Sequence, residues 1–385
     1  MPEMATSVHP FERLGLGRVI NAAGKMTYLG GSALSPTVAA AMAEAGRRYV
    51  DMAQLQRAAG RAIARLTGAE DATVTSCAAS GLVAAVAACL TGTDVGKIRR
   101  LPDTDGLERR EVVLQKGHSV DFGMEIVQLV RMTGAIPVEV GSVNRTRPDQ
   151  MASALGPRTA AVLHVVSHHA QQEGMLDLRA VAHLAQARGI PVVVDAAAEV
   201  DLRAHLAAGA TLVVYSGQKA VGAPTSGFVA GKASLVEACR LQELGICRPM
   251  KVGKEAIAGL LQALEEYVAA SEAALRQLLE RRARRLAGAL SETLAGAGLL
   301  HARVDIVSDE TRPIPRVRLT IEPGHSPVDA RALVRQLEAG NPSIRTRNHH
   351  VESGIVLFDV RTLEDEQIDT VVQRVVDALS GKEPS

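Results

Sequence analysis

The sequence is short of aromatic residues and has almost no net charge. Its 385 residues include four Tyr, four Phe and no Trp, so a core built from its 47% hydrophobic residues must be mainly aliphatic. Lys plus Arg (43) and Asp plus Glu (42) nearly cancel, which gives no general reason to expect a polyanionic partner. The most basic run, "RRARR" at 281–285, lies in an amphipathic helical pattern and is interpreted as a solvated helix face. We therefore expect no nucleic-acid partner.

Several other signals are missing. Four cysteines without CxxC spacing argue against a structural zinc site and a disulfide framework. No apolar run approaches the ~20 residues of a membrane span, and the N-terminal segment has no apolar signal core. Neither a GxGxxG motif nor a phosphate-loop motif is present, which removes the usual support for nucleotide binding. We expect a cytoplasmic protein with no metal site and no membrane partner.

Short, continuously apolar runs predict the strands of a mainly parallel sheet. Most are separated by helical segments, which is typical of an α/β fold with both sheet faces covered. The seven runs are "DATVT", "EVVLQ", "AIPVEV", "AAVLHVV", "IPVVVD", "TLVVY" and "SGFVA". A long helical stretch after Gly253, to about Gly296, and the strand and helix patterns beyond it predict a smaller α/β domain.

These patterns divide the chain into three predicted parts. Residues 1–50 are an N-terminal arm and helix that contribute to a dimer and to the small domain. Residues 51–255 are the large domain, with a seven-stranded sheet. Residues 256–385 are a connecting helix and the small C-terminal domain.

One lysine follows a predicted buried strand, in a turn that does not need a cation for its structure. The stretch "SGQKAVGAPTSGF", residues 216–228, puts Lys219 in a glycine-rich turn after the run "TLVVY". Ligands of open parallel sheets bind beyond the carboxyl ends of the strands. Asp195 ends another apolar strand, and the small residues "SCAASG" lead into an apolar helix whose N-terminus favours an anion.

An acid, a lysine and an anion-binding helix N-terminus at neighbouring strand ends suit pyridoxal phosphate. The lysine forms a Schiff base with the aldehyde, the acid keeps the pyridine nitrogen protonated, and the helix holds the phosphate. Taken singly, Asp195 is better explained as a helix cap, and the small residues are better explained as a packing site. The ordered set favours the cofactor, with Lys219 lying 24 residues after Asp195.

Longer motifs extend this interpretation to a family. The segments "VINAAGKMTYLGGSALSP", "LQKGHSVDFG", "VVVDAAAE" and "YSGQKAVGAPTSGFVAG" resemble the fold-type I pyridoxal-phosphate family that contains selenocysteine synthase. The similarity is greatest to its D-glucosaminate-6-phosphate ammonia-lyase branch and covers nearly the whole chain. It implies an aspartate aminotransferase-like α/β fold with pyridoxal 5'-phosphate as cofactor. Gln218 departs from the family pattern, which more often has glycine before the lysine.

The resemblance also assigns roles to individual residues. Lys219 would form the Schiff base, and Asp195 would pair with the pyridine nitrogen. Ala197 would pack on one face of the cofactor ring and His118 would stack on the other. At most one of the adjacent histidines His168 and His169 would reach the phenolic oxygen. The remaining cofactor contacts, mostly to the phosphate, would come from Ser76, Cys77, Ala78, Ser216 and Thr225.

The substrate carboxylate of an amino acid or amino sugar acid needs a cation, usually arginine. Arg345 and Arg361 are favoured and Arg248 is a further candidate, while Lys251 and Lys254 could join Arg248 around a substrate phosphate. We expect Lys219 to remove the α-proton and the β-hydroxyl to leave, giving a 2-keto acid and ammonia. Racemisation, aldol cleavage, transamination and a selenocysteine synthase-like transfer remain alternatives. The segments "KMTYLGG" and "GAPTSG" are expected at the interface of a homodimer or larger oligomer.

Overall fold

A computed structural model describes residues 9–167, 170–308, 314–322 and 328–382. The strands within these ranges are β1 Val19–Ala22, β2 Asp71–Thr75, β3 Glu111–Gln115, β4 Ile136–Val140, β5 Thr159–Val165, β6 Val192–Asp195, β7 Leu212–Ser216, β8 Gly227–Gly231, β9 Ala302–Ser308, β10 Pro315–Ile321, β11 Ser343–Thr346 and β12 Ile355–Asp359. The α-helices are α1 Pro36–Gly46, α2 Met52–Thr67, α3 Ala78–Thr91, α4 Val95–Arg100, α5 Ile126–Met132, α6 Pro148–Ala154, α7 Leu178–Gln186, α8 Ala204–Ala207, α9 Ala233–Leu241, α10 Lys254–Ala269, α11 Glu272–Gly296, α12 Ala330–Ala339 and α13 Gln367–Leu379.

Residues Leu34–Ala269 form a sheet-containing unit, and Met1–Ala33 with Ala270–Ser385 form a second unit. The predicted domain boundaries after residues 50 and 255 stay a prediction. The sequence predicts one long helical stretch up to Gly296, whereas the structure has two helices, α10 and α11. The break lies before Ser271, whose side chain accepts a hydrogen bond from the backbone N–H of Ala274 and so begins a new helix.

The larger unit is built around a seven-stranded sheet in the order β2-β8-β7-β6-β5-β3-β4. Strand β8 runs antiparallel to both of its neighbours, and the other strand pairs are parallel. Every residue of β5, β6, β7 and β8 is buried, as the continuously apolar runs predict for strands covered on both faces. The predicted mainly parallel, seven-stranded α/β fold is therefore confirmed.

Helix α3 covers the centre of one sheet face. Its sequence consists of small and apolar residues, and almost all of it is buried. A side-chain carbon placed on Gly81 would lie 2.7 Å from Cγ1 of Val214 in β7. Because no side chain intervenes, the helix lies directly on the sheet, and its N-terminus is fixed at the edge where β7 ends.

The second unit contains a three-stranded antiparallel sheet in the order β12-β10-β9 and a parallel pair of β1 with β11. The helices α11, α12 and α13 supply the rest of a core that includes Leu286, Leu333, Phe358 and Val375. The parallel pair joins segments more than 300 residues apart in the chain, with Val19 opposite Ser343. This long-range pairing leaves no local pattern in the sequence.

Candidate active site

The carboxyl ends of several strands meet at one edge of the seven-stranded sheet. The last residue of β2, Thr75, is opposite Gly227 at the start of β8, and Gly227 is opposite Ser216 at the end of β7. In the next strands, Asp195 at the end of β6 is opposite Val165 of β5. Lys219, Asp195 and the predicted phosphate-binding residues therefore all lie at the same edge of the sheet.

Lys219 lies in a π-helical turn over Gly217–Val221, directly after β7. Such turns are rare and are often found at functional sites. The turn is closed by hydrogen bonds from the N–H of Gly217 to the carbonyl of Ser226 (2.8 Å) and from Ala223 to the carbonyl of Gly217 (2.9 Å). Gly217 is favoured in this turn, because a Cβ there would overlap the Ser226 hydroxyl and require that side chain to move. The local sequence thus fixes the backbone on which the lysine is presented.

Asp195 is a buried carboxyl group, only 8% exposed. Oδ1 accepts a hydrogen bond of 3.0 Å from the N–H of Ala197. Burial raises the pKa of Asp195, while the Ala197 N–H and the positive charge of Lys219 partly oppose that shift. A buried carboxylate that is poorly solvated would be stabilised by a cationic partner, and a protonated pyridine nitrogen is such a partner.

The N-terminus of α3 forms a narrow, polar cradle. Cys77 is the N-cap, and the hydroxyl of Ser80 accepts a 3.0 Å hydrogen bond from the N–H of Cys77. The hydroxyls of Ser76 and Ser80 are also 3.0 Å apart. A Cβ on Gly227 would lie 2.6–2.8 Å from the Cys77–Ala78 peptide, so β8 must have glycine at this position. Hydroxyls and N–H groups at the end of a 14-residue helix suit a phosphate group.

His118 follows β3 but is completely buried. Its Nδ1 accepts a 3.2 Å hydrogen bond from the N–H of Val165, and its Nε2 has no hydrogen-bond partner among the described residues. The ring of His164 lies edge-on to it, with centroids 4.6 Å apart. Burial lowers the pKa of His118 to about 4, so this imidazole is neutral near pH 7. Stacking on a cofactor ring stays a prediction.

His164 was not singled out from the sequence. Burial, followed by the charges of His118 and His205, lowers its pKa to about 3. A polar residue inside the apolar run "AAVLHVV" is the signal that could have found it, since a buried strand seldom carries histidine without a polar role.

The other predicted cofactor residues differ in exposure. Ser216 is buried at the end of β7, and Ala197 is partly buried. Thr225 is exposed, and its hydroxyl donates a 2.8 Å hydrogen bond to Oε1 of Gln218, the residue that departs from the family pattern. The predicted contact of His168 or His169 with the cofactor falls outside the described residues. Contacts of all these residues with the cofactor stay predictions.

Three predicted substrate cations belong to the sheet-containing unit. Arg248 and Lys251 are exposed. Lys254 donates to the carbonyls of Ala45 (2.7 Å) and Gly46 (3.1 Å) at the end of α1, and it also pairs with Glu255 (2.5 Å). Lys254 therefore caps the C-terminus of α1, where its ammonium group binds the last carbonyls of that helix.

The two favoured arginines belong to the other unit, where each has an acidic neighbour. Arg345 in β11 pairs with Glu338 at 3.3 Å, and both line a cavity of about 440 Å³. Arg361 forms a bidentate pair with Asp359, through Nε to Oδ1 (2.9 Å) and Nη2 to Oδ2 (2.7 Å). Binding of a substrate carboxylate by Arg345, Arg361 or Arg248 stays a prediction.

The fold and the Lys219–Asp195 edge define a class, the fold-type I enzymes that use pyridoxal phosphate. The family described as "SelA: L-seryl-tRNA selenium transferase" matches residues 19–364. A D-glucosaminate-6-phosphate ammonia lyase from Salmonella typhimurium (strain 14028s / SGSC 2262) is 39% identical over 95% of this chain and 96% of its own. A 5'-C-glycyluridine monooxygenase-decarboxylase from a Streptomyces species is 42% identical over 96% of this chain and 92% of its own.

A solved structure of a D-glucosaminate-6-phosphate ammonia-lyase superposes with a TM-score of 0.89. It is 38% identical and covers 98% of this chain and 99% of its own. The chain belongs to the SelA family. The predicted family, cofactor and lyase-type enzyme class are confirmed by these relationships.

Among the ranges given above, no helix is both long and apolar enough to cross a membrane.

Proposed function

We propose that the protein is a pyridoxal phosphate-dependent ammonia-lyase that acts on an amino sugar acid such as D-glucosaminate 6-phosphate. The products would be a 2-keto acid and ammonia. The observation that carries this proposal is the 39% identity to an ammonia lyase over almost the full length of both chains. The turn that presents Lys219 and the buried Asp195 supply the groups that such a reaction needs.

The residues at the sheet edge fit the cofactor. Lys219 would hold its aldehyde carbon covalently, Asp195 would accept a hydrogen bond from its ring nitrogen, and the Ser76–Ala78 segment would bind its phosphate. When bound, the cofactor supplies an electron sink for the charge that develops at the substrate α-carbon.

Lys219 would also move a proton. Its Nζ would remove the hydrogen from the α-carbon of the substrate, a role that requires the neutral amine. The carboxylate of Asp195 would keep a proton on the ring nitrogen, because separating that proton from a buried anion is costly. The neutral ring of His118 would add no competing positive charge near pH 7.

The direct test is to incubate the purified protein with D-glucosaminate 6-phosphate and to assay ammonia and 2-keto acid. We expect the two products in equal amounts, and a loss of at least about 10⁴-fold in Lys219→Ala, the upper range for a general base. Lys232→Ala is the matched control, because Lys232 is exposed at the N-terminus of α9. Formation of ammonia without keto acid, or full activity in Lys219→Ala, would contradict the proposal.

A second candidate function rests on the Streptomyces relative, which is 42% identical over 96% of this chain. The printed name of that relative describes a monooxygenase and decarboxylase, and such a reaction consumes O₂ and releases CO₂. An oxygen electrode and a CO₂ assay with 5'-C-glycyluridine separate the two candidates. O₂ uptake with this substrate, and no ammonia from D-glucosaminate 6-phosphate, would favour the second candidate.

We also propose that the protein is a homodimer or a larger homo-oligomer. Within the sheet-containing unit, the segment between α1 and α2 and the first residue of α2 expose apolar side chains, with Tyr49 fully exposed and Val50 and Met52 at 46% and 39%. An exposed apolar group of this kind is typical of a surface that a partner covers. Light scattering after gel filtration should give a mass of two or more chains, and Tyr49→Glu should lower it. A cytoplasmic location stays a prediction.

A further inference from the structure

A group of cationic side chains surrounds one buried carboxylate in the smaller unit. Asp359 ends β12 and is fully buried. It forms the bidentate pair with Arg361 and a longer contact of 3.4 Å with Arg316, its cross-strand neighbour in β10. The pKa of Asp359 lies below its ordinary value, because the hydrogen bond and charge of Arg361 outweigh the effect of burial. Asp359 is therefore an anion that fixes the guanidinium of Arg361 in place.

The turn after β1 brings a third cation, Lys25, to this pair. A side-chain carbon on Gly24 would lie 2.8 Å from Oδ2 of Asp359 and 3.1 Å from Nη2 of Arg361. Gly24 has a φ of 89°, which favours glycine, and its missing side chain lets the backbone contact the ion pair. The motif "AAGKM" thus has a spatial reason for glycine directly before lysine.

This turn is held rigidly by hydrogen bonds. Oδ1 of Asn21 accepts from the N–H groups of Ala23 (2.9 Å) and Gly24 (3.1 Å), and Nδ2 of Asn21 donates to the carbonyl of Gly24 (3.0 Å). Nη1 of Arg347 donates to the carbonyl of Ala23 at 3.3 Å. These hydrogen bonds fix the backbone of the turn that carries Lys25.

Burial and the charge of Arg361 together disfavour the protonated form of Lys25. Burial first, and then the positive charge of Arg361, lower its pKa to about 8, while Asp359 acts in the opposite direction. Arg316 contacts Asp359, and Arg347, which follows β11, donates to the Ala23 carbonyl of this turn, so two further cationic side chains belong to the same group. A bound anion would stabilise the ammonium, and Lys25 would then gain a proton as the anion binds.

We propose that Lys25 and Arg361 form an anion-binding site in which Asp359 is the positioning residue and anion binding is coupled to protonation of Lys25. The anion has the chemistry of a carboxylate or a phosphate monoester, which an arginine and a lysine recognise together. Its assignment to an acidic substrate rests on the proposed function, whereas the site itself does not. The motifs in the sequence do not indicate this anion-binding role of Lys25.

Calorimetric titration of the cofactor-loaded protein tests the proposal with ligands that cannot react, because they lack an amino group. The probes are D-gluconate 6-phosphate, D-gluconate and inorganic phosphate, each measured in buffers of different ionisation enthalpy. With a pKa of about 8 in the free protein, binding should take up about 0.8 proton at pH 8.5 and about 0.1 proton at pH 7. Affinity should fall about tenfold per pH unit above pH 8.

Two substitutions separate charge from titration. Lys25→Met should weaken binding at pH 7 at least about tenfold and abolish proton uptake. Lys25→Arg keeps the cation but cannot lose its proton, so it should bind at pH 8.5 without proton uptake. Lys232→Met, which changes an exposed lysine, should behave as the wild type.

The outcomes are distinct. Binding of D-gluconate alone with proton uptake identifies a carboxylate site, and binding of inorganic phosphate alone identifies a phosphate site. Unchanged proton uptake in Lys25→Arg, wild-type affinity in Lys25→Met, or no binding of any probe would overturn the proposal. Proton-coupled binding of a probe, together with no ammonia from D-glucosaminate 6-phosphate, would reject only the proposed function.

Discussion

Two regions of the molecule hold a lysine and an aspartate, yet they are built in different ways. At the sheet edge, Lys219 and Asp195 follow adjacent parallel strands, and their spacing in the chain reflects one strand and one helix. In the smaller unit, Lys25 and Asp359 come from segments more than 300 residues apart. The first arrangement can be predicted from the sequence, because adjacent parallel strands place residues that are close in the chain at the same sheet edge. The second cannot, because only folding brings its distant segments together.

The two aspartates also differ in electrostatics. Burial raises the pKa of Asp195, whereas the hydrogen bond and charge of Arg361 hold the pKa of Asp359 below its ordinary value. The Ala197 N–H and the charge of Lys219 only partly oppose the effect of burial on Asp195, whereas Asp359 has a bidentate cationic partner. A carboxylate of the first kind is suited to a cofactor, and one of the second kind is suited to hold other groups in place.

The largest expected effect is on folding, from removal of the charge of Asp359. Asp359→Asn should lower the free energy of unfolding by about 3–5 kcal/mol, because it leaves buried Arg316 and partly buried Arg361 without their carboxylate. Urea denaturation at pH 7 measures this change. The stabilisation is present above the unfolded-state pKa of about 4 and is lost as the pH falls through the lower folded-state value.

Asp305→Asn is the matched control for that experiment. Asp305 also pairs with a strand arginine, Arg318, but both side chains are substantially exposed. Its loss should change the free energy of unfolding by less than about 1 kcal/mol. Equal effects of the two substitutions would show that the burial of Asp359 has no energetic importance.

The next effect is on turnover, from removal of the charge of Asp195. Asp195→Asn should reduce kcat about a hundredfold or more, because an amide cannot hold a proton on the ring nitrogen by charge. Absorbance of the bound cofactor and steady-state kinetics measure the change. Asp201→Asn keeps a capping side chain on an exposed residue and should leave kcat unaltered. A normal kcat in Asp195→Asn would remove this residue from the mechanism.

The smallest of these effects comes from the cradle beside α3. Gly227→Ala places a methyl group 2.6–2.8 Å from the Cys77–Ala78 peptide and should cost about 1–3 kcal/mol of stability. It should also speed loss of cofactor on dialysis, since the same peptide is predicted to bind the phosphate. Gly156→Ala is the control, because a methyl group there meets no atom of the described residues within 4 Å. Unchanged melting temperature and cofactor retention would contradict the proposed cradle.

Much of the fold and part of the site could be predicted from the sequence, for physical reasons. Continuous apolar runs predicted the seven strands of the sheet, and the parallel order of β6 and β7 brings Asp195 and Lys219 to one edge. The role of Lys254 as a helix cap could not be seen, because it depends on carbonyls about 200 residues away. The contacts of Gly24 with Asp359 and Arg361 were equally hidden.

Borohydride reduction of the cofactor-loaded protein, followed by peptide mass spectrometry, tests the central claim most directly. The test distinguishes Lys219, in its π-helical turn, from Lys25, whose pKa burial lowers to about 8. We predict the reduced cofactor on the peptide that contains Lys219, and no label there in Lys219→Ala. Label on Lys25 or on any other lysine of the native protein would contradict the account.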